Sequence, residues 1–141
     1  LFENCQPHAE IKIIDFGLSR KYVPENPTMR DHVGTIYSMA PQVMEGHYDS
    51  QADVWSIGVI SFMLLSSQMP FYGKRRDIIE DICACRYKFR GSRWKNISQA
   101  AKDFVKSLIV YDPKKRLTAR EAIHHPFLEE KVHHAKRSVS L

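Results

Sequence analysis

The chain has few cysteines and no long apolar run, and both features exclude classes of protein. Its three cysteines, Cys5, Cys83 and Cys85, show neither zinc-ligand spacing nor the paired framework of a disulfide-rich secreted domain. No window contains the ~18–20 apolar residues that a membrane-spanning helix needs. The sequence begins with Leu1 rather than Met and has no signal-peptide pattern, which indicates an internal start. The missing signal says little about a longer parent protein. The cysteine pattern favours an intracellular protein that keeps its cysteines reduced, and no membrane partner is expected. Its expected location is the cytoplasm, with the nucleus as the alternative.

Basic residues are unevenly distributed. The stretch from Lys74 to Lys95 contains eight basic and three acidic residues, so it supplies the whole net charge of +5. Such a stretch can form an electropositive surface for an acidic protein, a substrate or a nucleic acid. It can equally be an ordinary solvated face, because its charges are interspersed with apolar residues.

The pattern of apolar residues predicts a mainly helical fold. The β-branched run Glu10–Ile14 reads as a short strand that Leu1-Phe2 can pair with, which gives a small hairpin at the N-terminus. Residues 17–35 show little periodicity and read as a long surface segment. After Asp49-Ser50, either of which can cap a helix, residues 51–67 are apolar on nearly every face, which predicts a buried helix.

Two further helices carry local start signals. Ser98 precedes an amphipathic pattern in which apolar residues recur at helical spacing through Ile109. Thr118 and Glu121 have the spacing of a capping box. The helix that they begin must end near His125, because Pro126 disfavours the α conformation in the residue before it.

Three motifs occur in a fixed order along the chain: Asp15-Phe16-Gly17, Met39-Ala40-Pro41-Gln42 and Asp53-Val54-Trp55-Ser56-Ile57-Gly58. Together they resemble the second half of a eukaryotic-type Ser/Thr protein kinase catalytic domain. The resemblance runs from the first residue to about Phe127, so residues 1–127 are expected to form a partial kinase domain. Its implied fold is the mainly α C-terminal lobe with a small N-terminal β-hairpin. Residues 128–141 are expected to be a polar, flexible tail.

The resemblance assigns nucleotide chemistry to the first motif. Asp15 would hold Mg²⁺ under the phosphates of ATP, with Phe16 and Gly17 beside it, and Gly17 would let the backbone turn sharply. Asp15 alone could also be a solvated turn residue.

The same resemblance assigns substrate docking to Gly34, Thr35 and Tyr37. Thr35 would place its hydroxyl near the catalytic aspartate, which this chain does not contain, and the Gly-Thr pair favours Ser/Thr over Tyr specificity. As an alternative, Thr35 is a turn residue. Many kinases carry a phosphorylated residue three positions before Gly34, where this chain has Asp31. We expect Asp31 to pair with a catalytic-loop arginine, so that activation does not require phosphorylation at Thr28, the nearest hydroxyl.

Four residues are assigned structural roles by the resemblance. Gln42 replaces a glutamate that pairs with the arginine matching Arg116, so a neutral hydrogen bond is expected in place of an ion pair. Asp53, beside Trp55, would accept hydrogen bonds from catalytic-loop amides, or act as a first-turn acid at a helix N-terminus.

Other kinase parts do not occur in this sequence. It has no G-x-G-x-x-G loop, no Val-Ala-Ile-Lys-like strand and no His-Arg-Asp loop. The chain alone is therefore expected to lack kinase activity, although the complete domain would use ATP, Mg²⁺ and a protein substrate.

The motif sequences are most typical of the calcium-dependent and calmodulin-dependent kinases. A non-catalytic, pseudokinase-like protein-binding module is the alternative. A nucleic-acid binder has only the basic charge in its favour and is not expected.

Overall fold

The computed structural model describes residues 1–7, 9–23, 25, 28–31 and 34–129, and most regular structure there is helical. The expected mainly α fold class is confirmed. The helices are η1 (Ile36–Ser38, 3-10), α1 (Pro41–Met44), α2 (Gln51–Ser66), α3 (Arg75–Cys83), η2 (Ser92–Trp94, 3-10), α4 (Gln99–Leu108) and α5 (Ala119–Ala122). A further helical turn covers 126–129.

The N-terminal hairpin is reduced to one antiparallel bridge between Phe2 and Ile11. Around it, the Glu3 amide donates to the Glu10 carbonyl at 2.8 Å, and the Lys12 amide donates to the Leu1 carbonyl at 2.7 Å. The predicted pairing of Leu1-Phe2 with the run 10–14 is therefore present, although over a very short length.

Helix α2 forms the centre of the core. Trp55, Val59 and Phe62 are almost completely buried, because they face the rest of the chain. On the other side Ile57, Ile60 and Leu64 are 46%, 49% and 81% exposed. The expectation that α2 is buried on nearly every face is thus wrong for the described chain. An apolar pattern on all sides shows that a helix can be buried all round, whereas actual burial depends on which partners are present.

The N-terminus of α2 is held by one of its two candidate residues. The carboxylate of Asp49 accepts from the Gln51 amide at 2.9 Å. Ser50 occupies the capping position, but its side chain makes no capping hydrogen bond. The capping acceptor is therefore Asp49, whose oxygen reaches one of the amides that have no partner within the helix.

Gly58 allows α2 and the end of α4 to approach closely. A Cβ atom at Gly58 would lie 2.8 Å from Leu108 Cβ and 2.9 Å from Ile109 Cγ1. The facing side of α4 is apolar and buried, as its spacing predicts, and Ser98 Oγ accepts from the Ala101 amide at 3.2 Å at its start. The predicted amphipathic helix and its cap are confirmed.

The end of the described chain follows the predicted capping box. Thr118 Oγ1 accepts from the Glu121 amide at 3.2 Å, and Glu121 Oε2 accepts from the Thr118 amide at 2.7 Å. The Thr118 amide and the Thr118 hydroxyl, which donates to Glu121 Oε2 at 2.7 Å, lower the pKa of Glu121. Helix α5 ends at Ala122, before Pro126, as expected.

The predicted tail lies mostly beyond the described residues. Leu128, its first residue, packs partly buried against the second apolar cluster, around Phe104. Residues 130–141 lie outside the described part of the chain. Among the described residues, none of the helices has the length and apolar character to cross a membrane.

Candidate functional site

One open cavity of about 440 Å³ lies beside the N-terminal half of α2. Several residues that the sequence selects line this cavity together: Asp15, Phe16, Gly34, Thr35 and Asp53. They come from three separate segments of the chain, so the fold brings them to one place. Tyr37 is not among the residues lining the cavity; it lies nearby on η1 and is 42% exposed.

Asp15 adopts an unusual backbone conformation. Its φ is 63°, in the left-handed region that residues other than glycine seldom occupy, and Asp is among those that tolerate it best. Its Oδ1 accepts from the Gly17 amide at 3.3 Å, and its carboxylate is exposed. Such outliers concentrate at functional sites.

The chain turns at Gly17, as expected, and the Ser19 amide donates to the Phe16 carbonyl at 3.0 Å across that turn. The left-handed residue is Asp15, just before the turn, and Gly17 does not have a positive φ. A Cβ atom at Gly17 would lie 3.3 Å from Asp15 Oδ1. Glycine at this position therefore leaves room for the aspartate oxygen beside its own amide.

Magnesium binding depends on how many ligands the site must supply. Within the described ranges, no group of three or more His, Cys, Asp or Glu side chains is placed to hold a metal ion by itself. Mg²⁺ on nucleotide phosphates is commonly held by one or two carboxylates, while phosphates and waters supply the rest. The exposed carboxylate of Asp15 fits that requirement.

Thr35 begins η1 with an extended backbone and does not use its side chain as a cap. Thr35 is exposed and lines the cavity. The segment that follows is fixed to α2, because Ser56 Oγ donates to the Ser38 carbonyl at 2.8 Å and Ile36 and Met39 pack on the core. Ser56 was not among the residues predicted from the sequence, although a serine inside an apolar helix was the available signal.

Asp31 is paired within the described chain. Arg20 Nε lies 2.7 Å from Asp31 Oδ2, with both side chains partly exposed. The expected partner was an arginine of the catalytic loop, so the structure gives this carboxylate a different one. The pair ties together two parts of the long surface segment. Thr28 is exposed.

Asp53 and Trp55 lie on opposite sides of α2. Asp53 is an exposed first-turn residue that lines the cavity, which fits its alternative role near the positive end of the helix. Trp55 is fully buried and stacks on Phe71 with ring centroids 5.9 Å apart.

Arg116 is a buried cation that reaches Gln42. Only 2% of Arg116 is exposed, and its Nη2 donates to Gln42 Oε1 at 3.1 Å and to the Val110 carbonyl at 2.8 Å. Its guanidinium lies 5.2 Å from the ring centre of Trp55. Burial lowers the pKa of Arg116 to about 10. Within the described residues, carbonyl and amide oxygens solvate this charge without a carboxylate in ion-pair contact.

Comparison with known proteins agrees with this arrangement. The sequence matches the protein kinase domain family over residues 2–128. It is 39% identical over 132 residues to calcium-dependent protein kinase 3 of Plasmodium berghei (strain Anka), an alignment that covers 93% of this chain and 24% of the relative. It is 41% identical over 131 residues to CDPK-related kinase 4 of Arabidopsis thaliana, covering 92% and 22%. It is 43% identical over 129 residues to calcium-dependent protein kinase 11 of Oryza sativa subsp. japonica, covering 91% and 22%.

The chain spans about a quarter of the length of these relatives. The part that it spans contains the three ordered motifs, and residues from each motif line one cavity. The chain therefore belongs to the protein kinase family, and its sequence is similar to those of calcium-dependent protein kinases.

Proposed function

We propose that this chain is part of a serine/threonine protein kinase that transfers the γ-phosphoryl group of ATP to a protein hydroxyl. One observation carries the proposal: Asp15 and Thr35, distant in sequence, line the same cavity beside α2. In phosphoryl transfer the protein contributes mainly positioning and electrostatic stabilisation, so groups that converge on one place are what the reaction requires.

ATP and Mg²⁺ belong to this proposal. When bound, the metal neutralises charge on the phosphates and keeps the transferred group in position. Asp15 is the residue that would hold it, and the Gly17 amide orients the Asp15 carboxylate from one side. Thr35 presents its hydroxyl from the other segment of the cavity wall.

Thr35 gives a test of acceptor specificity. In the full-length protein, Thr35→Ala should reduce transfer to a serine peptide, while Thr35→Ser should keep most of it because the hydroxyl remains. A matched tyrosine peptide should be a poor acceptor for every form. Preferential transfer to the tyrosine peptide would contradict the Ser/Thr assignment.

The 141-residue chain alone should be inactive. Its sequence lacks the glycine-rich loop, the strand lysine and the His-Arg-Asp loop, which supply most of the positioning and electrostatic catalysis in kinases. The exposed apolar face of α2 supports packing against further parts of the domain. Phosphate incorporation by the purified 141-residue chain would contradict this expectation.

Calcium dependence is part of the proposal, because two of the similar proteins are calcium-dependent protein kinases by name. The full-length protein should phosphorylate a serine peptide faster with free Ca²⁺ than with a calcium chelator. Equal rates in the two conditions would show that calcium does not regulate its activity.

The pseudokinase-like binding module remains the second candidate, because Gln42 departs from the family pattern at a buried arginine. It predicts that the full-length protein binds partners without measurable phosphoryl transfer.

A further inference from the structure

A second groove, of about 620 Å³, lies at the C-terminal end of α2, between the loop 68–72 and the segment 86–90. Its floor is apolar: Phe62 and Pro70 are buried, and Met69 is partly buried. Tyr72, at the rim, is 73% exposed. The groove shares no lining residue with the cavity of Asp15.

The floor of this groove is held by an aromatic cluster. Phe62 lies 4.6 Å from Trp94 and 6.1 Å from Tyr87, measured between ring centres. Burial raises the pKa of Tyr87 to about 12, so its hydroxyl stays protonated at neutral pH. Because these rings pack on one another, the groove is formed before any ligand arrives, which reduces the entropy lost on binding.

The rim of the groove is cationic. Lys88 and Arg90 are exposed, line the groove and form no ion pair within the described residues. Asp81 also lines it, but its carboxylate is occupied by Arg86 Nε at 2.8 Å. The charge of Asp81 is therefore already neutralised by Arg86. Lys88 and Arg90 keep their charges without an ion-pair partner in the described part of the chain.

The charged residues around the groove do not neutralise the two cations at its rim. The stretch from Lys74 to Lys95 holds the whole net charge of the chain. Within it Glu80 is paired with Arg76 at 3.0 Å, so it is not available to Lys88 or Arg90. Arg93 points elsewhere, because its Nη1 donates to the carbonyls of Ser66 and Ser67 at the end of α2.

We propose that this groove binds a short acidic segment of a protein partner. Carboxylates of the segment pair with Lys88 and Arg90, while one apolar or aromatic side chain packs against Met69, Pro70 and Tyr72. A peptide fits better than a nucleic acid, since nucleic acids gain affinity from many phosphate contacts. Here two unpaired cations stand beside an apolar floor. The proposal does not depend on phosphoryl transfer, because it concerns binding at a separate groove.

Fluorescence anisotropy tests the proposal directly. The probe is a fluorescein-labelled peptide with a central phenylalanine between short runs of glutamate, added to the full-length protein. Lys88→Glu with Arg90→Glu should weaken binding by about tenfold or more, since two contacts change from attraction to repulsion. The matched control, Lys114→Glu with Lys115→Glu on the exposed turn before α5, should leave the affinity within about twofold.

The apolar part of the proposal has its own variant. Tyr72→Ala should weaken the phenylalanine peptide but not a peptide that carries serine in its place. If the double charge reversal does not fold, as judged by circular dichroism, Lys88→Gln with Arg90→Gln answers the same question.

Three results would overturn the proposal. One is equal weakening by the two double charge reversals, which would indicate general attraction to a basic protein. Another is no effect of any groove variant. The third is a single-stranded oligonucleotide that binds more tightly than the peptide and displaces it. None of these results would bear on catalysis, because the groove is separate from the cavity of Asp15. An Asp15→Asn variant should therefore bind the peptide normally.

Discussion

Arg116 and Gln42, separated by 74 positions in the sequence, are joined by a hydrogen bond of 3.1 Å between Nη2 and Oε1. Gln42 also donates from Nε2 to the Tyr111 carbonyl at 2.6 Å. These contacts fix α1 to the turn that precedes α5. Because Arg116 is buried, the junction contains a cation that is solvated by neutral groups.

Gln42→Glu should therefore stabilise the full-length kinase domain. A carboxylate would compensate the buried charge of Arg116, and charge-assisted hydrogen bonds contribute about 1.5–3 kcal/mol against about 0.5–1.5 for neutral ones. Loss of the bond to the Tyr111 carbonyl offsets part of this gain, so we expect a net gain of about 1 kcal/mol. Thermal unfolding should show a melting temperature raised by a few degrees.

The control for this substitution is Gln42→Met, which keeps the side-chain size but removes both hydrogen bonds. It should lower the melting temperature. An unchanged or lower melting temperature for Gln42→Glu would show that the Tyr111 contact outweighs the ion pair.

Gly58→Ala should destabilise the contact between α2 and the end of α4. The added methyl group would lie 2.8 Å from Leu108 Cβ, closer than carbon atoms pack. Overpacking typically costs about 1–3 kcal/mol, and the better helix propensity of alanine returns up to about 1 kcal/mol. Denaturant unfolding of the full-length protein measures the difference.

A second substitution shows whether the clash is the cause. In the background of Ile109→Ala, Gly58→Ala should cost less than in the wild type, because the substitution removes Ile109 Cγ1, which would lie 2.9 Å from the added methyl group. Equal losses of stability in the two backgrounds would show that this contact does not cause the destabilisation.

The sequence predicts those features of the fold that depend on residues close together in the chain better than those that depend on distant segments. The caps at Ser98 and Thr118 are local, because the cap and the amide that it accepts from lie three residues apart, and both were predicted. The exposure of Ile57, Ile60 and Leu64 was not predicted, since it depends on which other segments pack on α2.

The candidate site divides in the same way. The ordered motifs indicate Asp15 and Thr35, but their meeting in one cavity is a property of the fold. The ion pair of Asp31 with Arg20 could not be read from the chain, because no pattern distinguishes Arg20 from other surface arginines.

Tyr87 should make unfolding sensitive to alkaline pH. Burial raises its folded-state pKa from 10.0 to about 12, so the protonated phenol contributes stability that is fully present below pH 10. That contribution should be lost as the pH rises from about 10 to about 12. Absorbance titration of the wild type against Tyr87→Phe should show one tyrosine that ionises near pH 12. A difference spectrum that titrates near pH 10 would contradict the burial of this side chain.

The Arg20–Asp31 pair should support activity without phosphorylation of Thr28. Thr28→Ala should keep the activity of the full-length protein, while Asp31→Asn should reduce it by up to about fivefold, the effect of an exposed ion pair worth up to about 1 kcal/mol. Arg20→Lys, which keeps the charge, serves as the control for Arg20→Gln. An enzyme that stays inactive until Thr28 is phosphorylated would contradict this account.

The most direct test of the whole account is phosphoryl transfer by the full-length protein with and without Asp15→Asn. With ATP, Mg²⁺ and a serine peptide, the wild type should transfer phosphate. Asp15→Asn should lose about 10²-fold or more of the rate, since it removes the charged ligand of the metal. Asp103→Asn, at a partly exposed aspartate on α4 away from the cavity, should leave the rate unchanged. No transfer by the wild type, or equal rates for wild type and Asp15→Asn, would contradict a catalytic role for this cavity.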